Sequence, residues 1–296
     1  MAITKPIRNR IENIKAEYDS LKKGRESLLV MIDEVEVPEN VYNSNAIENS
    51  TLTLKETEKI LLEQELTRKV SVREVFEAKN LARVIEYKRN NSQRLELTKE
   101  NILLLHRMLI GGIDDSIAGR FRKQGEYVRV GQHIAPAPEH IERMIEVTLS
   151  EYTKDLDAYF LDKIAKFHLE FETVHPFCDG NGRIGRVLIN LQLLLLGFPR
   201  LIIRNKGKDA YYQAFKDYKE KKNTKPMEKI LALTLLESLH KRVTYLRGEN
   251  IITLSEFIKK ESLSASAVTN SAKKQVIPAF REKGKWKIGD RFAYQK

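Results

Sequence analysis

The sequence predicts a mainly α-helical protein with two small β ribbons, and three observations carry that reading. Apolar residues recur at three- and four-residue spacing through most of the 296 residues, the period of a helix with one buried face. Only two stretches interrupt that period, 119–137 and the C-terminal tail, and both mix β-branched and aromatic residues with glycine. The balance of 42% apolar and 31% charged residues suits a real core under a well-solvated surface. The length suggests roughly two or three compact units.

Taken in order, residues 8–34 alternate charge with Ile and Leu and read as a helix ending near Pro38. TLTLKETEKILLEQE, 51–65, opens on Thr and places Glu a turn further on, a capping pattern. Residues 72–90, 98–110, 138–152, 159–174, 184–196, 208–222 and 226–247 carry the same period. VLINLQLLLLGF, 187–198, is too short to span a bilayer and reads as a buried helix. GRFRKQGEYVRVGQHIAPA, 119–137, reads as an irregular loop and short hairpin closed by Pro136 and Pro138. The tail, 250–296, reads as helix, turn, helix and then a ribbon through FREKGK, WKIGD and RFAY, the order of a winged helix. There is no internal repeat.

The net charge of +11 favours acidic partners such as nucleotides or nucleic acid, or reflects spare surface lysines. Cys178, the one cysteine, excludes an intramolecular disulfide, and no Cys/His zinc pattern accompanies it. The opening MAITKPIRNRIENIK has no apolar signal core. A cytoplasmic protein with no membrane partner is the expectation.

HPFCDGNGRIGR, 175–186, concentrates the chemistry. Pro176 pushes the preceding residue out of the α region, which places His175 at a helix end, free to take a proton near neutral pH. Glycines before an apolar helix expose backbone N–H groups at its positive end, an anion site. Asp179 fits there if a hard cation such as Mg²⁺ bridges it to phosphate oxygens. Arg183 and Arg186 are three apart and share a face, two forks for neighbouring phosphates. The pieces add up to a phosphoryl- or nucleotidyl-transfer site: a base, a metal ligand and a polyphosphate cradle.

This run resembles the signature of the Fic family, H-x-F-x-[D/E]-G-N-G-R-x-x-R, matching every fixed position from His175 to Arg186; the lead-in FHLEFETVHPF, 167–177, resembles family sequence too. The resemblance implies a Fic-type helical bundle with a β-hairpin flap, Mg²⁺, and transfer of AMP from ATP to a hydroxyl of a target protein. It implies that His175 is the base and that Phe177 packs under the loop. Asp179 would hold Mg²⁺, Gly180, Asn181, Gly182 and Arg183 would form the anion hole, and Arg186 would bind the γ-phosphate. The Doc-like branch, which uses ATP as a kinase would, ends this loop in Lys-Arg; Gly185-Arg186 here favours adenylylation. The hairpin at 124–136 stands where the family has its flap, with Gln132, His133 and Ile134 as its working part. Tyr211 and Tyr212 are candidates to border the adenine or sugar, or ordinary packing residues.

Upstream, SNAIEN, 44–49, puts Ser44 and Glu48 four apart, on one helix face. It resembles the inhibitory motif of autoinhibited Fic proteins, [S/T]-x-x-x-E-[G/N]. Glu48 would then occupy the Arg186 fork that the γ-phosphate needs. The same glutamate could instead activate water for the reverse reaction, removal of AMP. The expected division is an N-terminal helical region at 1–95, a Fic catalytic domain at 96–247 and a winged-helix-like domain at 250–296. The last carries Lys259, Lys260, Lys273, Lys274, Arg281, Lys283, Lys285 and Lys287, so a DNA-binding regulator with a nucleotide-sensing Fic body is an alternative. Transfer of another phosphate-containing group is a second. Self-modification and a homodimer are compatible with the resemblance.

Overall fold

The computed structural model describes residues 4–63, 66, 69–91, 93–131 and 133–294. Two N-terminal helices open the chain, α1 (Lys5–Leu21) and α2 (Glu26–Ile47). The single helix expected over 8–34 is broken at Gly24, whose φ of 72° suits a residue without a side chain. Helix α2 also does not stop at Pro38 but runs through it to Ile47. Proline inside a helix costs about 3 kcal/mol. Here burial of Pro38, Glu39, Val41 and Ile47 against neighbouring elements offsets that penalty.

Helix α3 (Leu54–Glu58) starts on a capping box between Thr53 and Glu56, and a π-helical turn, Lys59–Glu63, follows. Helices α4 (Val72–Asn90) and α5 (Lys99–Ile110, capped by Thr98) come next. A two-residue ribbon, β1 (Arg129–Val130) and β2 (His133–Ile134), pairs Val130 with His133. The central helices are α6 (Ile141–Lys154), α7 (Phe160–Val174), α8 (Asn181–Leu195), α9 (Lys208–Lys221) and α10 (Lys225–Leu246).

The pair α7 and α8 lies between two apolar cores. On one side Leu161, Leu169, Ile189 and Leu193 meet α1, α9 and α10. On the other Phe171, Phe177, Ile184 and Leu188 meet α4, α5 and α6. A helix apolar all round must be buried on all sides, and α8 is. Ile11 of α1 belongs to the first core and Val41 of α2 to the second. The N-terminal helices therefore complete the two cores that flank α7 and α8.

The tail has its own small core around Phe257, Val268 and Ile288. Strand β3 (Ile251–Thr253), helices α11 (Leu254–Lys260) and α12 (Ala265–Lys273), and the ribbon β4 (Phe280–Glu282) and β5 (Lys285–Gly289) follow one another. The strands form one antiparallel sheet in the order β3-β5-β4.

Candidate active site

The loop between α7 and α8 is held from below. Phe177 is fully buried and stacks on His106, ring centroids 3.6 Å apart. His106 accepts from the Gly119 N–H at Nδ1 (3.0 Å), so Nε2 carries the proton and donates to the Asp179 carbonyl, also at 3.0 Å. Asn181 closes the loop on itself: its side chain accepts from the Phe177 N–H at 2.9 Å and donates to the Phe177 carbonyl at 2.8 Å. What Asn181 can offer an anion is therefore its backbone N–H. Gly180, at φ 80°, is the residue before α8, and its conformation favours glycine.

His175 ends α7 in the left-handed region, φ 49°. Burial is the main reason its imidazole is pushed down to about 4, with Arg122 and His133 adding to the effect, so it is neutral at pH 7. Arg122 is buried and donates to the carbonyls of His175, Glu126 and Pro136, each at 2.9 Å. That one guanidinium ties the hairpin segment to the loop between α7 and α8. His133 fixes the other side of the flap through the Thr173 carbonyl at 2.9 Å. Ile134 points to solvent, 72% exposed. Gln132 lies outside the described residues.

Asp179 faces a polar cleft of about 460 Å³. Burial would raise its carboxyl, but Arg183 and Arg73 outweigh that and hold it below its ordinary value. Arg183 bridges Asp179 and Glu77, both at 3.1 Å. Arg186 is buried with three polar contacts on α2: the Ser44 hydroxyl at 2.9 Å, the Ser44 carbonyl at 2.7 Å and the Glu48 carboxylate at 2.9 Å. Glu48 also presses on Gly182, where any Cβ would collide with its carboxylate. A carboxylate thus sits at the N-terminus of α8, where unpaired N–H groups and the helix dipole favour an anion.

The two tyrosines stand elsewhere. Tyr211 is buried beneath Arg186, its hydroxyl 2.6 Å from Nε2 of His168. Tyr212 donates to the Ile47 carbonyl at 2.9 Å. Neither lines the cleft, because α9 turns both toward its neighbours. Sequence reasoning missed Arg73, Glu77, His106, Arg122 and Glu172. Only Glu172 lay inside the recognised lead-in, and beside Glu170 in the same run nothing in the sequence set it apart.

In the tail, three of the basic residues are taken up by the protein itself. Arg281 and Lys283 pair with Glu237 and Glu58 of the body, at 3.8 and 2.8 Å, and Lys287 pairs with Glu282 at 2.6 Å. No helix among the described residues is long and apolar enough to cross a membrane.

Residues 96–193 match the family described as Fic/DOC. A "Protein adenylyltransferase Fic" of Drosophila willistoni is 33% identical over 183 residues, 60% of this chain and 36% of that protein. One of the same name from Nematostella vectensis is 33% identical over 180 residues, 59% of this chain and 42% of that protein. The chain thus spans about two fifths of the length of the curated relatives it matches. Among solved structures, a Fic domain containing signaling protein from Bacteroides thetaiotaomicron superposes with a TM-score of 0.73 at 24% identity, over 81% of this chain and 98% of that one. Fic-1 of C. elegans (residues 134–508) gives 0.68 at 25% identity, over 80% of this chain and 71% of that one. The motif, the helical frame around it and these likenesses agree: residues 96–193 are a domain of the Fic/DOC family.

Proposed function

We propose that the protein is an adenylyltransferase that moves AMP from ATP to a hydroxyl side chain of a target protein, restrained by Glu48. The observation that carries this reading is the Glu48 carboxylate on Arg186 at the N-terminus of α8, an internal anion where a phosphate belongs. Two relatives named as protein adenylyltransferases support the reaction class.

The residues divide the work. Nδ1 of His175 faces Glu172, which leaves Nε2 to take the hydroxyl proton as the oxygen attacks the α-phosphorus and pyrophosphate leaves. The neutral imidazole is ready to act without first losing a proton. The N–H groups of Gly182 and Arg183 open α8, and Arg186 offers a fork for the γ-phosphate. Asp179 fits a Mg²⁺ ion, since that ion takes one or two carboxylates and completes its shell with phosphate oxygens and water; it would neutralise charge on the phosphates. Arg73 and Arg183 hold that carboxylate meanwhile. His133 and Ile134 of the flap would align the target segment by strand addition.

The test is incubation with Mg²⁺ and ATP radiolabelled at the α-phosphate, with and without cell lysate. A hydrogen bond to a charged group contributes about 1.5–3 kcal/mol. Glu48→Gly should therefore raise labelling of protein by about tenfold to hundredfold. His175→Ala in that background should lower it by about a hundredfold or more. Label from γ-labelled ATP instead would make the protein a kinase, and Glu48→Gly behaving as wild type would remove the restraint from the reading.

A further inference from the structure

Glu172 enters the mechanism above only as the neighbour of His175; its other oxygen and the buried His168 and Tyr211 below the cleft are unused there. Glu172 and His168 are one helical turn apart on α7 and share a face. Oε1 of Glu172 and Nδ1 of His168 are both buried and have no hydrogen-bond partner among the described residues. Orphaned atoms of this kind each cost about 1–3 kcal/mol, so two in one place call for an explanation. Both line the same notch. A Cβ at Gly185 would collide with Oε1 of Glu172 and come within 2.9 Å of Nδ1 of His168. Gly185 thus makes room for the pair. The far side of His168 meets Tyr211 at 2.6 Å, and the Tyr211 ring lies under the Arg186 guanidinium, 6.0 Å from its carbon. The other Glu172 oxygen, Oε2, is 3.8 Å from Nδ1 of His175. That is long for a hydrogen bond, but such contacts tighten when substrate binds.

We propose that Glu172 is a positioning residue: as a neutral acid it donates its proton to Nδ1 of His168 and turns Oε2 to the Nδ1 proton of His175, which leaves the cleft-facing nitrogen of His175 free to accept a proton. The pairing satisfies both orphaned atoms at once. It also directs the Nε2 proton of His168 to the Tyr211 oxygen, which braces the floor under Arg186. The groups facing Glu172 are His168 and His175 on its own helix, Glu48 from α2, Arg186 from α8, and Tyr211 and Tyr212 from α9. Burial first, and then Glu48, push the Glu172 carboxyl up to about 8, against Arg186. Burial pushes His168 down to about 3, so neither member of the pair is charged at pH 7.

The proposal rests on His175 being the base of the adenylyl transfer, so its test is read without ATP. NMR of isotope-labelled histidine reports which His175 nitrogen holds the proton. Wild type and Glu172→Gln should both show the Nδ1–H form at pH 7. As pH rises past about 8 the ionised Glu172 only accepts, so wild type should keep the Nδ1–H form of His175 while the same spectra show the His168 proton moving from Nε2 to Nδ1, and Gln, which cannot ionise, should leave both histidines unchanged. Glu172→Leu should weaken the Nδ1–H preference of His175 at every pH, leaving the Glu172 backbone carbonyl as its acceptor. In the labelling assay Leu should lower kcat about tenfold or more with KM for ATP unchanged, and Gln should restore it. An Nε2–H form of His175 in wild type, or the same pH behaviour of His168 in wild type and Gln, overturns the proposal even if Leu fails to fold. Because the NMR readout involves no transfer, a protein that labels nothing yet shows the predicted protonation would fault the reaction and not the role of Glu172.

Discussion

His106 stacks on Phe177, and its two ring nitrogens have different duties. One accepts from the Gly119 N–H and the other donates to the Asp179 carbonyl. The ring so anchors the residue read as the cation ligand without touching the cleft. His106→Phe would keep the volume and the stacking and leave two part-buried backbone groups without partners. The expected cost is about 2–3 kcal/mol, seen as a lower urea midpoint at unchanged slope. Transfer should fall in step, because Asp179 loses its fixed place. A variant as stable as wild type would show that water replaces both bonds. Arg122 has the same character: a buried cation that bonds carbonyls where sequence patterns lead one to look for a carboxylate. Neither residue stands out in the sequence, because its partners lie far along the chain or on the backbone.

At the scale of elements, the proposed restraint by Glu48 rests on α2 and its C-terminal end. Pro38 removes one helical hydrogen bond, so the half that carries Ser44 and Glu48 relies on its neighbours for order. Glu39, buried, is a tie beyond Arg186: it accepts from the Lys283 N–H of the C-terminal ribbon at 3.1 Å and pairs with Arg204 at 3.4 Å. Asn43 adds a bond from the Asn205 N–H at 3.0 Å. Glu39→Ala should cost about 3 kcal/mol, the scale for breaking a buried pair. Hydrogen exchange should quicken at the amides of 40–48, and labelling should rise with Glu48 intact. Slow exchange there in the variant would mean the C-terminal ribbon does not steady the helix. The periodicity of α4, α5, α7, α9 and α10 was legible within a residue or two of the observed ends, since apolar residues recur at helical spacing along each. The break at Gly24 and the passage through Pro38 were not. Local rules place a stop at the proline, and only burial on the far side carries the helix past it. The family signature was legible because it is compressed into twelve consecutive residues, 175–186. Tyr211 and Tyr212 lie outside the cleft lining because α9 turns the two adjacent side chains to different neighbours.

Over the whole molecule, buried histidines set how stability depends on pH. Burial pushes His106, His175 and His240 down to about 4 and His168 to about 3. In the unfolded chain each takes a proton near the ordinary value of about 6.5. Between those limits the unfolded state binds up to four more protons, so stability rises with pH through this window and is lost as pH falls. Glu172 works in the opposite sense. Its folded value of about 8 lies above the unfolded one, so the folded state holds one extra proton across the same window and the net difference is three. Above about 6.5 the histidine contribution is complete. Glu172 then lowers stability until pH 8, while Lys88, buried and pushed down to about 7, begins to raise it. The expected curve climbs steeply from pH 4.5 to 6.5 and then flattens. Urea titrations at half-unit steps would trace it, and His106→Phe should reduce the slope by about one proton. An equal slope in that variant would mean His106 carries its proton in the folded state, and then Nδ1 could not accept from Gly119.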